Sequence, residues 1–186
     1  MEIFRICGGN SLSGVVNISG SKNAALPQFA ATLLSSEKSV LQNVPNLSDV
    51  RFMAEILSEL GAEIRKIDHT TWEINPANIS YQAPYELVRK MRASICLLGP
   101  LVGRLKKAEI PMPGGCVIGQ RPIDLHIKAL TRLGANIELE KGIVKVEAKN
   151  LRGNNIFLGG RHGSTVTGTT NAIMAAVLAP GITTID

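Results

Sequence analysis

An α/β fold assembled from a repeated unit is the expectation that three observations set. Leu60-Gly61-Ala62 and Leu133-Gly134-Ala135 stand about 73 residues apart, each closing a helical run, residues 53–64 and 126–137. Each run leads into two short apolar stretches that read as a hairpin, 64–66 with 71–74 and 137–139 with 143–148. Each is also preceded by a helical stretch and then an extended one, 24–34 with 40–44 and 91–102 with 108–112.

Taken in order, residues 2–7 read as a short strand ending at Gly8-Gly9, and residues 15–19 as a second strand. Ser19-Gly20-Ser21-Lys22-Asn23 then opens the alanine-rich helix 24–34. A helix start after Gly and Ser offers free backbone N–H groups to an anion, and Lys22 adds an ammonium. The same residues equally fit an ordinary N-cap beside an exposed lysine. Gly61 and Gly134 fall where a helix C-cap needs left-handed backbone. A third unit opens with a helix over 170–178, a turn at Ala179-Pro180-Gly181 and a strand over 182–185. Two complete βαβαββ-like units and the start of a third are therefore expected.

Composition narrows the function. The 186 residues suffice for one domain with a sizeable core, and 45% hydrophobic content with only 4% aromatic makes that core aliphatic. Twenty Lys and Arg against fifteen Asp and Glu give a net charge of +5. That suits anionic ligands but is too diffuse, and too poor in interleaved aromatics, for nucleic acid. Arg104, Lys106 and Lys107 read as a solvated cluster or strand edge. Cys7, Cys96 and Cys116 are odd in number and widely spaced, which points to a reducing compartment and no disulfide framework. No run of 18 apolar residues occurs and the N-terminus lacks a signal-peptide pattern, so a soluble cytoplasmic protein without a membrane span is expected. His69 and His126 have no metal-ligand spacing and His162 reads as a loop residue, so neither metal nor cofactor is expected.

The chemistry concentrates in Pro111-Met112-Pro113-Gly114-Gly115-Cys116, followed by Gly119, Arg121, Pro122, Ile123, Asp124 and Leu125. Proline removes a donor and glycine admits φ > 0, so this is a loop holding a thiol. Arg121 offers a planar fork for phosphate or carboxylate, and Asp124 can cap the helix that follows. A thiol, a guanidinium and a carboxylate so close together make a candidate active-site lid. An inert thiol beside a solvated ion pair is the bland alternative.

Residues 113–126, Pro-Gly-Gly-Cys-x-Ile-Gly-x-Arg-Pro-x-Asp-Leu-His, closely resemble the active-site loop of the UDP-N-acetylglucosamine 1-carboxyvinyltransferase family. Ser19-Gly20-Ser21-Lys22-Asn23-Ala24-Ala25 and Met91-Arg92-Ala93-Ser94 look like the same family. The resemblance runs along the whole chain but over roughly the first half of the family's length. It implies a domain shaped as an inside-out α/β barrel of three repeated units, helices inside and sheets outside. Residues 1–21 would be strands of a second domain, and 22–186 a catalytic-loop domain incomplete at its C-terminus, with that second domain as its partner. The implied activity is transfer of the enolpyruvyl group from phosphoenolpyruvate to the 3′-hydroxyl of UDP-N-acetylglucosamine, the first committed step of peptidoglycan synthesis.

The resemblance also implies roles. Lys22 would bind the phosphoenolpyruvate phosphate with Arg121, and Asn23 would lie beside the substrates. Cys116 would deliver a proton to the methylene carbon. Arg92 and the run Arg121, Pro122, Ile123, Asp124, Leu125 would contact UDP-N-acetylglucosamine, while the general base would come from the second half. The chain departs from the family at 161–169, where many members carry a Lys and a Ser-Val-Gly-Ala run. Here Gly168 and the hydroxyls of Ser164, Thr165 and Thr167 can cradle a diphosphate. Two alternatives stand beside this reading. One is the sister enzyme acting on shikimate 3-phosphate, which lacks the cysteine loop. The other is a UDP-sugar-binding fragment without activity of its own.

Overall fold

The computed structural model describes residues 2–114, 122–160 and 163–186. The first unit runs α1 (Lys22–Ala31), a 3₁₀ turn over Thr32–Leu34, β1 (Ser39–Leu41), α2 (Ser48–Glu59), β2 (Glu63–Lys66) and β3 (Trp72–Asn75). Its antiparallel sheet has the order β1-β3-β2, with Ser39 opposite Ile74 and Glu63 opposite Asn75. A short helix α3 (Tyr85–Val88) leads to the second unit. That unit runs from a 3₁₀ stretch, Arg92–Leu97, through α4 (Leu98–Leu105), β4 (Lys107–Pro111) and α5 (Asp124–Arg132) to β5 (Asn136–Glu140) and β6 (Ile143–Glu147). Its sheet repeats the same order, β4-β6-β5, with the last strand central and both pairings antiparallel.

The repeat extends to single hydrogen bonds. After α2, Ala62 N donates to Leu57 O and Gly61 N to Ser58 O; after α5, Ala135 N donates to Leu130 O and Gly134 N to Thr131 O. This is the Schellman arrangement, which needs φ > 0 at its centre. Gly61 has φ 105° and Gly134 φ 98°, so both glycines serve as expected.

Each sheet turns alternate residues inward. Trp72 and Ile74 of β3, Ala108 and Ile110 of β4, and Val144 and Val146 of β6 are buried, while the alternate side chains, Pro111 at the end of β4 excepted, are partly or fully exposed. Leu98 to Gly103 of α4 are buried all round, so this helix occupies the interior rather than a surface. Helix α6 (Val166–Ala176) packs against it. A Cβ at Gly99 would stand 2.6 Å from Asn171 O, and one at Gly103 3.2 Å from Met174 O, so the two glycines bring α4 and α6 backbone to backbone. Phe29 of α1 meets Trp72 edge-on at 5.7 Å between centroids, tying the first helix to the first sheet. Each large aliphatic side chain so buried contributes about 1.5–3 kcal/mol.

The third unit is built from short pairs of strands. β7 (Asn155–Ile156) pairs in parallel with β10 (Thr184–Ile185), and β8 (Gly159–Gly160) pairs with β9 (Gly163–Ser164).

Several expectations are corrected. Residues 2–20 form no strand; Ile3 is 80% and Phe4 99% exposed, because these residues meet no sheet edge to supply backbone partners and no apolar face to cover them. Helix α6 begins at Val166, not at 170, because Thr165 caps it through a 3.0 Å bond accepted from Gly168 N. Asp124 caps nothing; Ile123 takes the N-cap position and Asp124 is the first helical residue, where its charge still favours the helix dipole. Arg104 is not solvated but donates to the carbonyls of Leu33, Ser35, Pro76 and Ala77 at 2.7–3.1 Å. The short helix α3 and the two-residue strands β7, β8 and β9 were not expected, being too short to show a period.

Candidate functional site

A cleft of about 420 Å³ opens where α1, the 92–97 stretch and α6 converge. Its lining includes Lys22, Asn23, Asp49, Arg92, Cys96 and Thr167. Each wall has a local cause. Ser21 is extended and makes no side-chain cap, so α1 starts without a capping side chain for its first N–H groups. Pro27, inside α1, lacks the N–H that the Asn23 carbonyl would otherwise receive, and both residues line the cleft. The helix start therefore presents donors, and a carbonyl acceptor stands close by.

Lys22 Nζ lies 2.8 Å from Asp49 Oδ2, on the first turn of α2. Both groups are part-exposed, so the pair is a loose latch rather than a buried ion pair. Arg92 enters from the 3₁₀ stretch and its charge reaches His126, which is buried behind the cleft. Burial chiefly, with Arg92 adding to it and Asp124 opposing it, pushes the His126 pKa down to about 4. Burial likewise pushes the Cys96 thiol up to about 11, so Cys96 is an inert part of the wall.

Among the sequence candidates, the structure gathers Lys22, Asn23, Arg92 and Thr167 around one space. Thr165 and Gly168 bond to each other as a helix cap, and a Cβ at 168 would stand 2.5 Å from Thr165 Cγ2. Ser164 is exposed on β9. Pro122 and Asp124 are exposed, Ile123 is buried in the core and Leu125 packs near Gly160; none of the four lines the cleft. Cys116 and Arg121 lie outside the described residues. The loop's entry is described at Gly114, where a Cβ would meet Arg89 O at 1.6 Å, so this part of the loop packs on the chain just before Arg92.

Sequence reasoning missed Asp49, His126 and Asn171. Asp49 is an ordinary acidic residue at a helix start. His126 and Asn171 gain their roles only through contacts across 45 and 76 residues of chain. Among the described residues, no group of three His, Cys, Asp or Glu side chains is placed to hold a metal ion, and no helix is long and apolar enough to cross a membrane.

The chain is 55% identical over its whole length to a UDP-N-acetylglucosamine 1-carboxyvinyltransferase of Methylacidiphilum infernorum, and 50% identical to one of Akkermansia muciniphila. It spans 44% of the length of either relative. Among solved structures, the enolpyruvyl transferase NikO from Streptomyces tendae superimposes with a TM-score of 0.73 at 24% identity, over 96% of this chain and 41% of that one. EPSP synthase from Acinetobacter baumannii follows with 0.69 at 16% identity, over 92% of this chain and 40% of that one. These two share the fold, in accord with the α/β class expected. Residues 6–186 match the family described as EPSP synthase (3-phosphoshikimate 1-carboxyvinyltransferase), and the chain belongs to that family.

Proposed function

We propose that this chain forms the catalytic-loop part of an enzyme that transfers the enolpyruvyl group of phosphoenolpyruvate to the 3′-hydroxyl of UDP-N-acetylglucosamine. The observation that carries the reading is the cleft that gathers Lys22 and Arg92, cations 70 residues apart in sequence, beside an uncapped helix start. Cations and free N–H groups so placed suit the phosphates that both substrates bring. The relatives' names add UDP-N-acetylglucosamine and the transfer of a carboxyvinyl group, and the loop sequence 113–126 adds phosphoenolpyruvate as the donor and the acid through the family it resembles. The residues 1–21 are assigned to a second domain that completes the site, and the work is assigned to the cytoplasm, as the first committed step of peptidoglycan synthesis.

In this reading Lys22 leaves Asp49 for the phosphoenolpyruvate phosphate, with Arg121 as its second cation and Asn23 alongside. Arg92 and the 121–125 run hold the nucleotide sugar, and Thr167 contributes at its diphosphate. Cys116 gives its thiol proton to the methylene carbon. A free thiol titrates near about 8.5 and is mostly an acid at neutral pH. The neighbouring carbon becomes electrophilic, the sugar oxygen bonds to it, and a base from the second domain takes the hydroxyl proton. Loss of phosphate and of a methyl proton from that tetrahedral adduct restores the double bond in the product.

The test is phosphate release from phosphoenolpyruvate by this chain mixed with the remaining part of the M. infernorum relative. Release is expected with UDP-N-acetylglucosamine and not with shikimate 3-phosphate, and none is expected from this chain alone. Release with shikimate 3-phosphate instead would overturn the substrate assignment. Turnover by the chain alone would overturn the shared site.

A further inference from the structure

Behind the cleft, one side-chain amide repairs a break in the backbone. The 3₁₀ stretch Arg92–Leu97 becomes α-helical at Leu98. In a continuous α-helix Gly99 N–H would bond to Ile95 C=O. Here Asn171 stands at that pair: Gly99 N donates to Asn171 Oδ1 at 2.7 Å, and Asn171 Nδ2 donates to Ile95 O at 2.8 Å. The two backbone groups fix which end of the amide is nitrogen, so its second N–H has a defined direction. That direction is His126 Nδ1, 2.7 Å away.

An amide nitrogen only donates, so Nδ1 accepts and the imidazole proton sits on Nε2. Burial keeps the ring neutral at ordinary pH, with Arg92 and Asp124 the charges that act on it. Nε2–H then donates to Thr167 Oγ1 at 3.2 Å. Thr169 and Thr170 turn their hydroxyls back onto the carbonyls of Thr165 and Val166. Thr167 has no helical carbonyl one turn back, since α6 begins at Val166. With its oxygen taken by His126, its proton is left for the cleft that it lines. An acceptor-only oxygen carrying negative charge is the complement of a hydroxyl donor that shares a cleft with Lys22 and Arg92.

We infer that His126 is a positioning residue for the diphosphate contact proposed above: held by Asn171, it takes up the Thr167 oxygen and so fixes the direction in which Thr167 presents its hydroxyl proton to a phosphoryl oxygen. The inference rests on the proposed nucleotide-sugar reading for the identity of the ligand. The hydrogen-bond chain itself does not depend on it.

Two measurements test it on the whole chain. Long-range proton–nitrogen NMR of His126 near neutral pH should show a neutral ring protonated at Nε2; a proton on Nδ1 overturns the inference without any ligand. Calorimetric titration with UDP-N-acetylglucosamine, and separately with pyrophosphate, then compares wild type, Thr167→Ser, Thr167→Val, His126→Asn and the double variant of the last two. Thr167→Ser should bind as wild type and Thr167→Val roughly tenfold more weakly, the worth of one charge-assisted bond. His126→Asn keeps an acceptor for Asn171 but loses the donor to Thr167, so it should weaken binding similarly. It should add nothing in the Thr167→Val background. Additive losses would overturn the positioning role, as would wild-type affinity in Thr167→Val. Pyrophosphate binding with this pattern, but no UDP-N-acetylglucosamine binding, would retain the inference while sinking the nucleotide-sugar reading. Binding of neither probe by wild type would overturn the ligand assignment.

Discussion

His126 links protonation to folding with a definite sign. Its pKa is about 4 in the folded chain against an ordinary 6.5. Above about pH 6.5 both states are neutral and the contribution to stability is fully present. As pH falls from about 6.5 to about 4, the unfolded chain takes up a proton that the folded one refuses, so stability drops by on the order of 3 kcal/mol. Urea unfolding between those limits should therefore be markedly less pH-dependent in His126→Asn than in wild type; an equal slope would count against a neutral buried ring. The cysteines differ in the same physical way. Cys7 is exposed, while Cys96 is buried with its thiol pushed up to about 11. Peptide mass mapping after brief exposure to an anionic epoxide of the fosfomycin type should find Cys116 labelled ahead of Cys7, and Cys96 unmodified. Labelling of Cys96 first would sink the assignment of the acid. At this scale residues that sit in motifs, such as Lys22 and Arg92, were legible as candidates, and they line one cleft. The sequence hid His126 and Asn171, whose chemistry comes from burial and from partners far along the chain.

Among the elements, α2 and α5 with their hairpins were legible because apolar spacing and the capping glycines are local signals. Residues 2–7 and 15–19 misled because a short run with apolar residues marks at most a capacity to pair, and the pairing itself depends on a neighbour. Arg104 misled for a related reason: a basic cluster reads as solvated until the carbonyls around it are known. From α4, its guanidinium ties the end of the 3₁₀ turn after α1 to the chain leaving β3, through Leu33 and Ser35 on one side and Pro76 and Ala77 on the other. Arg104→Met would strip all four carbonyls of this donor at once. A loss of about 2–4 kcal/mol is expected, reduced where water can reach the carbonyls. Chemical denaturation of the variant measures it, and Arg104→Lys should recover only part, since an ammonium cannot span the fork. A change below about 0.5 kcal/mol, the range of ordinary surface substitutions, would return Arg104 to the solvated reading.

For the whole molecule, the uncovered surface is specific. The helices at the centre are covered on one face: Ala25, Leu26, Phe29 and Ala30 of α1 are buried, and so are Ala172, Met174 and Ala175 of α6. Exposure of large apolar side chains is greatest near the N-terminus, at Ile182 and on the other face of α6 and its C-cap, with Val166 at 84% and Val177 at 64%. Apolar surface of this kind favours self-association. Sedimentation velocity should show concentration-dependent oligomers of the isolated chain, and a strict monomer across the micromolar range would refute this. The third unit was legible only as an opening, since β7 and β10 pair through residues 155 and 184 with a helix between them. The two closed sheets are different, each drawn from one contiguous stretch, 39–75 and 107–147. That contiguity has a consequence during synthesis. The first sheet has all its strands once Asn75 leaves the ribosome, whereas the amide that joins α4 to α6 waits for Asn171. Stalled ribosomes bearing the chain to about residue 150 should carry a protease-resistant first unit and a cleft with one wall still unmade. Uniform digestion of such nascent chains would show that neither unit folds until both are complete.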